Sequence, residues 1–383
     1  MIKYIFFLII PIFVFATEYK VATYNVENLF DTKKSGYEYK EYIPYGKSGW
    51  NEKMLKIKIH NISKVIKDIN ADIIVLQELE NSQVAQRLNL SLGIKKYPYV
   101  YSNFKSEGID SVLFSRYPIK DYKVFKIDKK FRPIHQVVID IEGSYIVIFL
   151  NHWPSYKNGN KKRMDYAKAL KKLYKNKKNY ILLGDFNSPL VKNSKNWGQA
   201  INYLNKDNIN LWFDFPKNSR YSHIFFKDRN ALDHIILSKD IYYKFGSFGV
   251  YKPKYLLNKY KHPNRWQISK KGRGKHLGIG YSDHFALYAT LSTKKLNQEK
   301  IQKVSISSLL KTKKNRVNYF LEDVMVIDKN KYGVTIEDKN RDTIYIYKPD
   351  FKFEVGMIYS LHVKELSTYK GKKEIVLVDF NSK

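Results

Sequence analysis

Apolar and polar residues alternate along Tyr19–Asn25, and that period predicts a strand ending in an amide. Asn51 then precedes Leu55, Ile59, Ile62, Ile66 and Ile69, which recur at helical spacing behind a good N-cap residue. Ile73–Leu76 is a short apolar strand running into Gln77-Glu78. Gln83–Leu90 predicts a helix and Ser111–Phe114 a strand. Gln136–Ile141 and Tyr145–Leu150 predict two strands, joined in a hairpin at Glu142-Gly143-Ser144. A basic helix over Lys161–Tyr174, a buried strand over Tyr180–Leu183 and a helix near Trp197–Leu204 follow. Ile235–Leu237, introduced by Asp233, and Phe285–Leu291 supply the last strands before a basic, polar stretch.

Polar residues collect where these strands end. Asn25, Glu78, His152, Asp185 with Asn187, Asp233, and Asp283 with His284 each border an apolar run. Leu182–Asn187 (LLGDFN) carries the most pointed of these, because residues two apart in an extended chain face the same way. Asp185 and Asn187 would then share one site, provided the extended backbone continues through Phe186. Taken singly, an Asp-x-Asn after a strand is more often a turn, and a lone histidine is more often structural. Six such clusters in one chain, all acid, amide or imidazole, point to one centre displayed at strand ends.

The chain has 383 residues, 44% of them hydrophobic and 15% aromatic, which suits one large folded domain and a small one. It contains no cysteine, which excludes disulfides, thiolate metal sites, a cysteine nucleophile and a lipid-modified cysteine. Met-Ile-Lys, an apolar run over Tyr4–Phe15 and Ala16 predict a signal peptide over residues 1–16. Cleavage near Ala16 would give a secreted or periplasmic protein. The apolar run is too short for a stable membrane span, and no later stretch approaches one. The formal charge of +33 suits a polyanionic partner.

The motifs VATYNVENLFD (Val21–Asp31), IIVLQELE (Ile73–Glu80), NHWPS (Asn151–Ser155), LLGDFNSP (Leu182–Pro189), LDHIILS (Leu232–Ser238) and YSDHFAL (Tyr281–Leu287) stand in this order. Together they resemble the endonuclease/exonuclease/phosphatase superfamily, the DNase I-like proteins, over residues 18–292. The resemblance implies an α+β fold, a four-layer αββα sandwich of two mixed sheets between helices. It also implies a metal-dependent phosphodiesterase. Position by position, Glu78 resembles the divalent-metal ligand with Asn25 beside it, and Asp283 the acid near the metal. Asp185 and Asn187 resemble the pair that serves the attacking water and the scissile phosphate. His284 resembles the catalytic imidazole, Asp233 its orienting acid, and His152 the second histidine of the DNase I, sphingomyelinase and toxin-nuclease branches. Arg132, in Phe-Arg-Pro, matches a phosphate-binding arginine. Hydroxide attack on an anionic diester needs charge neutralisation, and few carboxylates with several waters suit Mg²⁺ or Mn²⁺, with Ca²⁺ a further option.

Ile241–Ser282 holds ten Lys and Arg and no acid, and runs directly into Asp283-His284. Lys270, Lys271, Arg273 and Lys275, with Trp266 as an aromatic platform, are the expected contacts to a phosphate backbone. Residues 293–316 read as a linker. Residues 317–383 predict five strands of a small all-β, OB-fold-like barrel, a common oligonucleotide-binding module. The expectation is an exported, metal-dependent nuclease acting on DNA more readily than RNA, with no obligate protein partner. A sphingomyelinase-type phospholipase on the same fold and a non-catalytic nucleic-acid-binding protein are its rivals.

Overall fold

A computed structural model describes residues 17–104, 108–190, 197–296 and 300–380. The expected signal peptide, residues 1–16, lies outside the described residues. The chain opens with β1 (Glu18–Leu29), β2 (Ile73–Leu79), β3 (Tyr99–Tyr101) and β4 (Asp110–Ser115). A second sheet takes β5 (Ile119–Phe125), β6 (Ile134–Ile141), β7 (Ser144–His152), β8 (Tyr180–Asp185) and β9 (Ile209–Asn210). β10 (His223–Phe225) and β11 (Asp228–Asn230) form a separate hairpin, after which β12 (Asp233–Leu237) inserts between β8 and β9. β13 (Tyr242–Tyr243), β14 (Gly249–Tyr251) and β15 (Ala286–Ser292) return to the first sheet, whose order is β13-β15-β1-β2-β4-β3 with β14 also on β15. The second sheet runs β5-β6-β7-β8-β12-β9.

Side-chain period decides the layers. Along β8, Ile181 and Leu183 enter the core between the sheets, whereas Tyr180 and Leu182 face the other way. Those outward residues pack with Tyr166, Ala167 and Leu170 of α3 (Gly159–Tyr174) and with Ala200, Ile201 and Leu204 of α4 (Gln199–Asn205). The first sheet is covered by α1 (Glu52–Ile69) and α2 (Ser82–Leu90), with Leu55, Ile62 and Ile66 in its core. Asn51 caps α1, its side chain accepting from the Met54 N–H, and Asn81 caps α2 in the same way through Val84. The result is the expected four-layer α+β sandwich.

A short turn, α5 (Ser269–Gly272), lies in the basic stretch. Beyond it come β16 (Gln302–Lys303) and α6 (Ile306–Lys311), then β17 (Arg316–Asn330), β18 (Gly333–Glu337), β19 (Thr343–Tyr347), β20 (Ile358–Tyr369) and β21 (Lys372–Phe380). β17, β18, β19, β21 and β20 close a barrel, with β20 back on β17 and a parallel β19–β21 pair. Ile306 and Leu309 of α6 are buried in the barrel's core. The segment expected as linker is thus partly structural, because Ile306 and Leu309 plug the barrel. Among the described residues, no helix is long and apolar enough to cross a membrane.

Candidate active site

Register assembles one half of the site. His152 lies opposite Asp185 in the parallel β7–β8 pair, and Asp185 opposite Asp233 in the antiparallel β8–β12 pair. Paired residues project from the same face, so three adjacent strands deliver an imidazole and two carboxylates side by side. Gly184 makes the geometry fit: its φ is +137°, and an added Cβ would run into the Asn151 backbone.

The first sheet supplies the other half through broken regularity. Asn25 pairs in register with Gln77, which is buried against Thr23, and a bulge then shifts β1 against β2. Glu78, at φ +71°, turns into the site. One carboxylate oxygen accepts from Asn25 Nδ2 (3.1 Å) and the other from the Asn28 N–H (2.9 Å). Asn25 Nδ2 also reaches Asp185 Oδ2 at 3.1 Å, which joins the two sheets. Its Oδ1 is turned to the Glu27 N–H (3.0 Å). Asn25 therefore stands beside Glu78, as expected, and its amide clamps two acids at once.

Asp185 and Asn187 do meet, but not along an extended chain. Asn187 sits at φ +48°; its N–H donates to Asp185 Oδ1 (2.8 Å), and its Nδ2 to Asp185 Oδ2 and the Trp153 carbonyl (both 3.1 Å). The strand ends and a tight Asx turn folds the amide back onto the acid. Phe186, between them, is buried in the helix-side core.

His284 Nδ1 lies 2.7 Å from Asp233 Oδ2 in a buried pair. Ser282 fixes the loop before it, donating to the Asn25 carbonyl (2.6 Å) and accepting from the His284 N–H (3.1 Å). Burial alone would lower the His284 pKa. The charge of Asp233, its hydrogen bond, and the charges of Asp185 and Asp283 outweigh that and hold the imidazole well above its usual range. His152 goes the other way: burial, with Arg132 and His284 nearby, keeps it neutral. Its Nε2 is 3.6 Å from Glu78 Oε1 and 3.9 Å from Asp185 Oδ2, and its Nδ1 is buried without a partner. Burial raises Asp185 first, and the charge of Asp233 adds to it. Burial and then the charge of Asp283 raise Glu78.

Asp283 lies 3.9 Å from His284 Nε2 and 3.6 Å from Arg265, which also donates to buried Glu27 (Nε–Oε1, 2.9 Å). Arg132 donates to the His152 and Trp153 carbonyls (3.2 Å each), so it braces the end of β7. Trp266 is not the exposed platform its setting suggested. It is 2% exposed, donates from Nε1 to His276 (2.8 Å) and packs edge-on to Trp50, while its N–H holds Glu27. Lys270, Arg273 and Lys275 are exposed around α5, and the segment leaving it is tied to the 40–50 loop by the His276 N–H on the Ser48 carbonyl. The side chain of Lys271 lies outside the described ones.

The donor set suits a hard cation. Glu78, Asp185, Asp233 and Asp283 crowd a buried site, and ligand atoms of Asp185, Asp233 and His284 lie within 4.8 Å of one another. Asn28 Oδ1 and Asp233 Oδ1 are buried and unpartnered, which leaves oxygens to be satisfied. Asn28, Glu27, Ser282 and Arg265 were absent from the residues expected at the site. Glu27 and Asn28 lie inside the first motif, Ser282 inside the last and Arg265 in the basic stretch, but a left-handed Asn or a cross-sheet serine bond leaves no periodic signal.

The family model described as "Endonuclease/Exonuclease/phosphatase family" matches residues 20–293. A family protein from Bacteroides thetaiotaomicron is 17% identical with a TM-score of 0.48, covering 72% of this chain and 98% of that one. A family protein from Leptotrichia buccalis is 18% identical with a TM-score of 0.46, covering 71% and 99%. TDP2 from D. rerio, complexed with a single-strand DNA product, is 13% identical with a TM-score of 0.48, covering 72% and 99%. No curated protein matches the chain. The chain belongs to the endonuclease/exonuclease/phosphatase family.

Proposed function

We propose that this protein is an exported phosphodiester hydrolase that cleaves nucleic acid, DNA in preference to RNA, with Mg²⁺ or Mn²⁺. The convergence of His152, Asp185 and Asp233 on three neighbouring strands, facing Glu78 from the other sheet, carries this reading. In it, Asp185 takes the proton of the attacking water, since its raised pKa makes it a stronger base than an ordinary carboxylate. Asn25 and Asn187 hold that carboxylate in place through three donated hydrogen bonds, one from each side-chain amide to Oδ2 and one from the Asn187 N–H to Oδ1. His284, kept protonated by Asp233, stabilises charge on the phosphoryl oxygens and can give its proton to the leaving oxygen. His152, neutral and buried, lines the opposite side. Glu78 and Asp283 would hold the divalent cation, which when bound neutralises the diester's charge. The exposed Lys270, Arg273 and Lys275 and the barrel are the surfaces offered to the rest of the polyanion.

The test is direct. Purified protein is given plasmid DNA, RNA or sphingomyelin, each with Mg²⁺ and with EDTA. DNA cleavage that EDTA abolishes is expected. Lipid cleavage with intact nucleic acid would assign the site to phospholipids, and no hydrolysis under any condition would leave a binding protein.

A further inference from the structure

β10 begins on the catalytic imidazole. His223 pairs backbone to backbone with His284, and their rings lie 4.8 Å apart. Ser222, just before it, accepts from the Asp233 N–H (3.1 Å) and takes the Phe285 N–H on its carbonyl (2.7 Å). The hairpin is therefore rooted in the Asp233–His284 dyad. From there it leaves the protein: Phe225 and Phe226 are 60% and 80% exposed.

Several features set this tip apart from an incidental apolar surface. The two rings stand 4.6 Å apart at 74°, so they present a corner with a face on each side. Phe226 takes φ +53° in a two-residue turn, a position where glycine is favoured and a bulky side chain is a genuine outlier. An aromatic ring held there against backbone preference points to a use for the ring. Cations surround it. Lys227 and Arg229 are exposed, and Arg229 and Lys252 both lie over the Tyr221 ring at the hairpin's base (4.9 and 4.7 Å). Asp228 is the one acid on the hairpin. Three residues of strand place the tip roughly 10 Å from His284, which is within a nucleotide or two of the scissile phosphate.

We propose that the β10–β11 hairpin is a base-stacking arm, with Phe225 and Phe226 seating a base of the strand whose phosphate lies at His284. This rests on the nucleic-acid reading above. The aromatic faces accept any base, and Lys227 and Arg229 follow the phosphates. A lipid surface is the competing occupant of an exposed aromatic tip, and the root on the catalytic histidine favours the nucleotide.

The experiment compares wild type with Phe225→Ser/Phe226→Ser in Mg²⁺. The substrates are a single-stranded oligodeoxynucleotide and an oligomer of the same length built from abasic tetrahydrofuran units. Both side chains project into solvent, so the variant folds, and an unchanged Tm verifies this. Wild type is expected to show a KM about 5- to 100-fold lower for the base-bearing strand. The variant should treat both substrates alike, close to wild type on the abasic one. A wild type indifferent to the bases, or a variant that keeps the preference, overturns the arm while leaving the nuclease reading intact. A wild type that cleaves neither overturns that reading and the arm together. A variant that keeps its oligonucleotide KM but loses sedimentation with phosphatidylcholine/phosphatidylserine vesicles assigns the tip to membranes instead.

Discussion

Asp233 shows how much one side chain can set. It is buried, it bonds His284 at 2.7 Å, and its charge is the largest influence keeping that imidazole protonated against burial. Asp233→Asn keeps the shape and removes the charge, so His284 should lose its proton at lower pH. We expect kcat to fall about 10²- to 10⁴-fold and the alkaline limb of the pH–rate profile to move to lower pH. An unmoved limb would argue that His284 draws its basicity from elsewhere. His234, the next residue, has the opposite task. Its Nε2 donates to the Ser188 carbonyl (3.0 Å) and its Nδ1 accepts from Asn210 (3.1 Å), so both ring nitrogens are committed in the neutral form. Burial lowers its pKa to about 4, below the value of 6.5 it regains on unfolding. Stability is thus complete above about pH 6.5 and is lost as pH falls towards 4, by up to about 3 kcal/mol. Thermal unfolding followed from pH 7 to pH 4 measures this, and His234→Gln should flatten the slope. At this scale the acids and imidazoles were legible because six such clusters end apolar strands in one chain, although any one alone is more often a turn or a structural histidine. The amide roles were not, since whether Asn25 offers oxygen or nitrogen depends on the Glu27 N–H beside it.

Elements place those side chains. β7, β8 and β12 could be read from their apolar runs, and α1 from its helical period and Asn51 cap. What sequence lacked was register, because pairing of His152 with Asp185 and Asp233 follows from long-range contacts between strands. β9, β10, β11, β13 and β14 span two or three residues each, too short for alternation to show. Trp266 misled because the aromatic residues that line a nucleic-acid groove also build cores, and only burial separates them. Gly184 is where element and chemistry meet. Its φ of +137° and its contact with Asn151 leave no room for a Cβ one residue before Asp185. Gly184→Ala should push β8 from β7, lower stability by about 2–4 kcal/mol and remove most activity. Denaturant unfolding beside a turnover assay tests it, and near-wild-type values in both would contradict the close packing.

At the scale of the molecule, barrel and sandwich are joined by specific contacts. Arg220, 6% exposed, holds Asp350 in a two-pronged ion pair (2.8 and 2.6 Å) and donates to the Phe215 carbonyl. Arg316 donates to the Asp214 carbonyl (3.1 Å), Lys364 pairs with Asp214 (3.3 Å), and His362 stacks on Phe245. None of these pairings was visible in the sequence, where the barrel could be read only as a separate unit. Their consequence reaches the site, because Arg220 stands two residues before Ser222 and three before His223, the residues that brace the Asp233–His284 dyad. Asp350→Ala leaves a nearly buried guanidinium without its partner. Since the acid itself is 30% exposed, the cost should be about 1–3 kcal/mol, below that of a fully buried pair. Calorimetry should then separate a barrel transition from that of the sandwich, and Arg220→Ala/Asp350→Ala should recover part of the loss, since no charge is stranded. If the barrel steadies the dyad through this bond, Asp350→Ala also lowers kcat on a dinucleotide too short to touch the barrel. A change confined to KM for long polynucleotides would show instead that the barrel only holds substrate.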